Sequence, residues 1–333
     1  MRAALAAWLL MTLCWLAPTQ AIAAPVEALR LLAEHPVEGM RDGNLSGLAI
    51  CGGELYTESD RDDDRIYRLD TRQPVWQAQA QVFDVPTPAP SGLSWGMNVR
   101  TWAAGFVRGG TLDFEGISCD AAGNRYLVSE ARAQVLKITP QSEAQWLNIS
   151  PALVREARAA GLLAHFNAIF EGLAINPAGD QLWLAAERSR RGLLKVNLHG
   201  GEWTCDGACV LLSEDGLQAR PAAATPSDMP LVIDFSDLAW FNGKLYTLER
   251  NAYQVCRRDP KTVAVERCWS FADAALTPAR RYAKPYGVAE ALVVDAQGAW
   301  IGNDNNNWAR GDGDVRPIVW RFAAPVDGWE ARP

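Results

Sequence analysis

One phrase recurs five times along the 333-residue chain, and this repetition limits the possible fold more than any other feature. It reads "LSGLAICGGELYTESDRDDDRIYRLD" from Leu45, "FEGISCDAAGNRYLVSEARAQVLKIT" from Phe114 and "FEGLAINPAGDQLWLAAERSRRGLLKVNL" from Phe170. "FSDLAWFNGKLYTLERNAYQVCRRD" follows from Phe235, and "AEALVVDAQGAWIGNDNNNW", ending in "PIVWRFA", from Ala289. Each copy has a β-rich run, a short turn containing glycine, a run with Trp or Tyr, a polar gap and a third strand. The turns, such as Gly52-Gly53 and Asn242-Gly243, have hairpin composition. A more variable fourth strand follows in "VWQAQAQVFDV", "AQWLNIS", "CVLLSED" and "VERCWSF".

A four-stranded antiparallel unit repeated at this spacing is the signature of an all-β fold, the β-propeller. Five blades are expected. Six stay open, because the stretches Arg72–Thr111 and Gly201–Leu231 have room for extra strands. The fifth copy lacks a fourth strand, and "VEALRLLAEHPV" near the start of the chain could supply it and close the ring. Two segments interrupt the pattern as short insertions on one rim. "SPALVREARAAGLLAHF" reads as a helix with Ser150 as N-cap and Pro151 at its first position, and "FADAALTPARRYAKPYG" precedes the fifth unit.

Residues 1–23 read as a secretory signal peptide, with Arg2, an apolar run Ala3–Leu16 and Ala21-Ile22-Ala23 at the cleavage site. Residues 24–333 then form a single propeller domain, periplasmic or secreted, with no membrane span. Cys14 falls in the leader, and an even six cysteines remain, which in an exported chain suggests disulfides. Cys205/Cys209 and Cys256/Cys268 are near enough for local clips, leaving Cys51 and Cys119 to join two units; the sequence does not fix this pairing. The net charge of −7, without a Lys/Arg block, argues against nucleic acid and anionic membrane partners.

Innermost propeller strands line a central channel. Stacking the phrases puts Ser46, Glu115, Glu171, Ser236 and Glu290 at one level of those strands. Like charges that close raise one another's pKa or demand a cation, and hard oxygens from several strands suit Ca²⁺. A second ring is read at the ends of the next strands: Glu58, Glu130, Glu187, Glu249 and Asp304. These are the candidate catalytic acids. Arg132, Arg188 and Arg250 lie beside them, and with Lys284, Arg280 and Arg281 of the second insertion they are candidates to clamp an anionic group. Acid–Arg pairs at strand ends also serve as plain blade-to-blade bridges.

Other chemistries are poorly supported. "GLSWG" (Gly92–Gly96) matches a serine-hydrolase elbow, but a Pro-rich stretch precedes it and no helix is expected after it, so Ser94 is not read as a nucleophile. His35, His165 and His199 have no metal-ligand spacing, although His165 could reach the channel mouth. Trp183, Trp240 and Trp300 read as core, whereas Trp95, Trp102 and Trp308, in loop-like segments, could line a pocket.

"FEGLAINPAGDQLWLAAER", "DFEGISCDAAGNRYLVSE" and "WIGNDNNN" resemble the phytase-like family, also called esterase-like activity of phytase, from about Ser46 to Phe322. Similar "EG[IL]" phrases occur in gluconolactonase-like and SdiA-regulated propellers. "FSDLAWFNGKLYTLER" is similar to calcium-activated apyrases, five-bladed propellers whose channel calcium is held by Ser and Glu. The resemblance implies the inner set as Ca²⁺ ligands and a phosphate ester as the small anionic substrate. Two alternatives stand beside it. One is a propeller with a structural ion that binds a ligand or an envelope protein. The other is an ester or lactone hydrolase of gluconolactonase type.

Overall fold

The computed structural model describes residues 26–331 except 42, 109, 189, 217 and 220–230, so the expected leader lies outside the described residues. The five phrases become five blades. Their innermost strands are Gly47–Cys51, Phe114–Cys119, Phe170–Ile175, Asp237–Phe241 and Ala289–Asp295. These strands neighbour one another in cyclic order, the fifth returning to the first, so the ring is a five-bladed β-propeller. Glycine allows the close approach. A Cβ on Gly116 would lie 3.1 Å from Gly172 Cα, and one on Gly172 would lie 2.6 Å from Asp237 Cα.

Ring closure follows the expected route. Leu31–Glu38 pairs antiparallel with Ile318–Ala323 as the outer strand of blade 5. Val37 and Glu38 then pair parallel with Trp76 and Gln77 of blade 1, so those two blades share one sheet. Among the described residues, the stretches that left six blades open add no sixth four-stranded blade. Helix α1 (Trp95–Arg108) lies in the first. In the second the outer strand of blade 3 is split into Glu202–Thr204 and Val210–Asp215, and Gln218–Ala219 pairs with Leu231–Val232, with 220–230 outside the described residues.

Helix α1 overturns one expectation, since a helix does follow "GLSWG". Ser94 nevertheless sits at its start, its Oγ accepting from the Met97 N–H at 3.4 Å in a capping role. Trp95 and Trp102 stand on this helix, 82% and 57% exposed. Helix α2 (Ala152–Ala159) is shorter than read, because Gly161 ends it at φ +82°. Trp183 is core as expected, stacked 4.7 Å from Trp240.

Three disulfides form, Cys51–Cys119, Cys205–Cys209 and Cys256–Cys268. They suit an oxidising periplasmic or extracellular compartment. The first joins the inner strands of blades 1 and 2. Among the described residues, no helix is long and apolar enough to cross a membrane.

Strand direction gives the ring two unlike ends. Inner strands start, and blade-to-blade connections cross, on the face that carries the repeated acids. At the hairpin end the channel is apolar, a cavity of about 220 Å³ lined by Leu48, Ile117, Ile175, Leu238 and Leu292 from all five blades.

Candidate metal and anion site at the channel mouth

The inner acids owe their aim to a backbone irregularity. Pairing between the first two strands slips between Phe114 and Gly116, Phe170 and Gly172, and Ala289 and Ala291. Glu115, Glu171 and Glu290 are therefore each the extra residue of a β-bulge, a device that redirects a side chain. Ser46 and Ser236 take the same place in blades 1 and 4, where their N–H groups donate to Glu58 O and Leu248 O. The Ser46 hydroxyl accepts from the Asp60 N–H at 3.3 Å.

These acids feel one another. Burial pushes Glu115 well above the usual carboxylate range, and Glu171, Asp113 and Asp60 add to the shift. Burial does the same to Glu171, helped by Glu187 and Glu130 and opposed by Arg250. Glu290 is pushed up to about 8 by burial, again against Arg250. The expected inner set thus turns toward one mouth.

The second ring needs correction. Strand pairing sets Gly47 opposite Glu58, Gly116 opposite Val128, Gly172 opposite Ala185, Asp237 opposite Leu248 and Ala291 opposite Gly302. Counting two residues onward from each gives the structurally equivalent ring: Asp60, Glu130, Glu187, Arg250 and Asp304. Glu58 and Glu249 do not belong to it. Glu249 accepts from Arg258 at 2.9 Å and pairs with Arg191 at 3.3 Å, a buried bridge between blades 3 and 4. Glu58 lies beneath the mouth and is fully buried, with neither carboxylate oxygen hydrogen-bonded. Letter matching of the copies hides the two-residue offset in "TESD", although Ser59-Asp60 beside Ser129-Glu130 is a signal of it.

Arg250 is the one cation of this ring, and its guanidinium is taken up internally. It bonds Glu187, Asp234 at 2.8 Å and Glu290, three carboxylates from blades 3, 4 and 5. Burial alone would favour loss of its proton, but Asp234, Glu290 and Glu187 outweigh that and hold its charge more tightly than usual. It therefore acts as a counter-ion inside the site, not as the substrate clamp expected from sequence.

Arg188 remains open. Its side chain is 49% exposed, and one edge donates to Glu187 at 2.7 Å. It borders a cleft of about 360 Å³ with Tyr286, Asn251, Asp234, Arg250 and Glu290. Arg132 donates its N–H to Ser129 Oγ, while its buried Nε has no partner. Lys284 places its ammonium 3.0 Å from the centre of the Trp308 ring and 5.6 Å from that of Tyr286, which borders the cleft. His165 is exposed at the entry to blade 3.

One candidate escapes the sequence. Asp304 is expected there, and Asp60 reads with Asp62, Asp63 and Asp64 as part of an acidic rim loop able to hold further metal ions, but Asp113 is not singled out. Asp60, Asp113 and Glu115 bring carboxylate oxygens within 4.8 Å of one another. Asp113 stands two residues before the bulge position, where blades 1 and 4 have Asn44 and Asp234. Asp304 is pushed up to about 7 by burial and then by Asp60.

Residues 41–307 match the family described as phytase-like, esterase-like activity of phytase. The chain belongs to that family. No curated protein matches it. Among solved structures it is similar to a Myxococcus xanthus glutaminyl cyclase, with 14% identity, 90% of this chain and 98% of the other covered, and a TM-score of 0.48. A Xanthomonas campestris gluconolactonase shares 11% identity over 84% of this chain and 72% of its own, with a TM-score of 0.42. The PQQ-bound aldose sugar dehydrogenase of Streptomyces coelicolor shares 13% over 89% and 98%, also at 0.42.

Proposed function

We propose that this phytase-like propeller is an exported hydrolase of phosphoric esters, working at the acidic mouth of its channel with bound Ca²⁺. One observation carries the reading: bulge carboxylates from three blades, Glu115, Glu171 and Glu290, lie near enough to act on one another electrostatically, and Glu290 borders a cleft with a half-exposed arginine. The donor set suits the ion, since Ser46, Glu115, Glu171, Ser236 and Glu290 offer only hard oxygens. When bound, Ca²⁺ would supply Lewis-acid polarisation of a phosphoryl oxygen and would acidify a bound water.

The chain's own side chains do the rest. Arg188 binds the substrate anion through charge-assisted hydrogen bonds, and the Glu187 carboxylate holds its guanidinium in place. Asp304, with its pKa near 7, can hold or release a proton close to neutral pH. Arg250 keeps Glu187, Asp234 and Glu290 from repelling one another.

A carboxylic-ester or lactone hydrolase is the second reading, and one fact favours it. With Arg250 committed to acids, only Arg188 of the arginine pair is open to a phosphate. Purified protein is assayed on p-nitrophenyl phosphate, phytate, nucleotides and a sugar lactone, with calcium and with chelator. Chelator-sensitive phosphatase activity whose KM rises about tenfold in Arg188→Ala (about 1.4 kcal/mol) supports the first reading. Lactone turnover untouched by that substitution supports the second. No turnover on any of them rejects both.

A further inference from the structure

The lining of the cleft beside Arg188 divides by chemistry. Asp234, Arg250, Glu290 and Arg188 are charged, while Val232 and Tyr286 are apolar and aromatic. The charged part nearly cancels itself, because Arg250 is bonded to both Asp234 and Glu290. Arg188 is left as the cation that a ligand can approach, its side chain 49% exposed. Its backbone has φ +27°, a conformation that costs a residue with a Cβ energy and persists where its surroundings hold it. A substrate carrying many phosphates would find a single open guanidinium in this cleft. A substrate with one phosphate would find its match.

The uncharged part of the lining is built and not incidental. Asn251 is buried and ties together the two segments that carry it. Its Nδ2 donates to Val232 O at 2.9 Å and to Asp234 Oδ1 at 3.2 Å, and its Oδ1 accepts from the Gly287 N–H at 3.0 Å. Gly287 follows Tyr286 directly, and a Cβ there would lie 2.4 Å from Arg250 O, so glycine permits this close approach. The entries to blades 4 and 5 are thereby held to one side chain, and Tyr286 stands on pinned backbone. Its ring is nevertheless 44% exposed. Lys284 comes within 5.6 Å of the ring centre from its seat 3.0 Å above Trp308, which backs the ring. A lone exposed tyrosine is ordinary on a protein surface. One that borders a cleft of about 360 Å³ together with a half-exposed arginine offers a ligand both a flat apolar face and a charge.

We infer that the ester cleaved here has an aromatic alcohol part that stacks on Tyr286 while its single phosphate meets Arg188. This rests on the phosphoric-ester reading of the same cleft. Aromatic rings pack offset or edge-on against one another and gain beyond the area they bury. A polyol such as that of phytate or glycerol phosphate has no such face to offer and would keep its water instead. Val232 flanks the ring with further apolar surface, so the alcohol part is desolvated as the phosphate is bound.

Steady-state kinetics on phenyl phosphate and glycerol phosphate, with calcium present, test the inference. The wild-type protein should have a KM for phenyl phosphate about tenfold lower than for glycerol phosphate. Tyr286→Leu keeps an apolar group but removes the ring, and should raise the phenyl phosphate KM about tenfold while leaving glycerol phosphate within about twofold. Tyr286→Phe should retain the wild-type preference. Equal KM values in the wild-type protein, a preference that survives Tyr286→Leu, or a rise shared by both esters overturns the inference and leaves the hydrolase reading standing. Calorimetric titration with phenylphosphonate and methylphosphonate, which are not hydrolysed, separates the two claims. If no ester is turned over, the hydrolase reading falls. Phenylphosphonate that binds at least tenfold tighter than methylphosphonate, and loses that margin in Tyr286→Leu, still supports the aromatic subsite. Equal binding of the two, or none, removes it.

Discussion

At the seam between blades 4 and 5, Arg250 reaches Asp234, Glu187 and Glu290. At the seam between blades 1 and 2, the residue in Arg250's register is Asp60, and it faces Asp113 and Glu115. The two places share two positions, the strand end (Arg250 and Asp60) and the inner acid of the following blade (Glu290 and Glu115). The third acid differs, Asp234 lying at the entry of blade 4 itself, where blade 1 has Asn44, and Asp113 at the entry of blade 2. One seam has an arginine at the strand end, and the other has an aspartate in the same register. Repeated blades thus keep geometry while changing sign at one ring position.

Removing the built-in cation should have the largest effect. Arg250→Met removes the counter-ion shared by three acids, leaving Asp234 and Glu290 uncompensated and Glu187 with Arg188 alone, and should cost about 3–5 kcal/mol in urea unfolding, with calcium failing to restore it. A loss below about 1 kcal/mol would mean that the two seams do not differ as described.

The pH dependence of the metal-free protein comes next. Glu290 and Asp304 have folded pKa values of about 8 and about 7, both above their unfolded values. The folded chain therefore holds protons that the unfolded chain has already released. Stability is full below the unfolded pKa, near 4, and falls as pH rises through 7 to 8, by at most about 1.4 kcal/mol per pH unit for each group. Thermal melts from pH 5 to 8 should show this decline in chelator and a flatter curve in calcium. A chelated protein that gains stability across that range would contradict it.

Neutralising an acid at the seam between blades 1 and 2 should have the opposite sign to Arg250→Met. Glu115→Gln is expected to stabilise the metal-free protein by about 1 kcal/mol by relieving repulsion, and to reduce the stabilisation gained on adding calcium. Destabilisation without metal would show that Glu115 is held by contacts of its own.

The blades were legible because each is a local event: a glycine turn, two alternating strands and a repeated acid within about 20 residues of one another. The equivalence of the five inner positions was legible for the same reason, although "FEG" spells it in only two copies and a bulge occupies it in three blades. Arg250's grip on Asp234, Glu187 and Glu290 was not. Its partners come from three blades, and no sequence period records which neighbouring blade a long side chain reaches. Asp60 reads as a rim-loop acid and Glu58 takes its ring place, because strand pairing, not letter matching, sets the register in "YTESD". Helix α1 was missed because its Pro-rich approach looks like a loop. The split outer strand of blade 3 depends on a disulfide loop, Cys205–Cys209, whose effect on pairing is purely three-dimensional.

The strand Leu31–Glu38, lodged between Ile318–Ala323 and Trp76–Gln77, has a consequence for how this protein is made. Its partners lie near opposite ends of the sequence, so the last step of assembly joins the segments most distant along the chain, and such long-range pairing is slow. Until residue 318 has emerged, the early blades have no finished neighbour on one side, and their unpaired backbone is open to pairing with other chains. A cell producing this propeller would need to shield that intermediate for as long as the two ends take to meet.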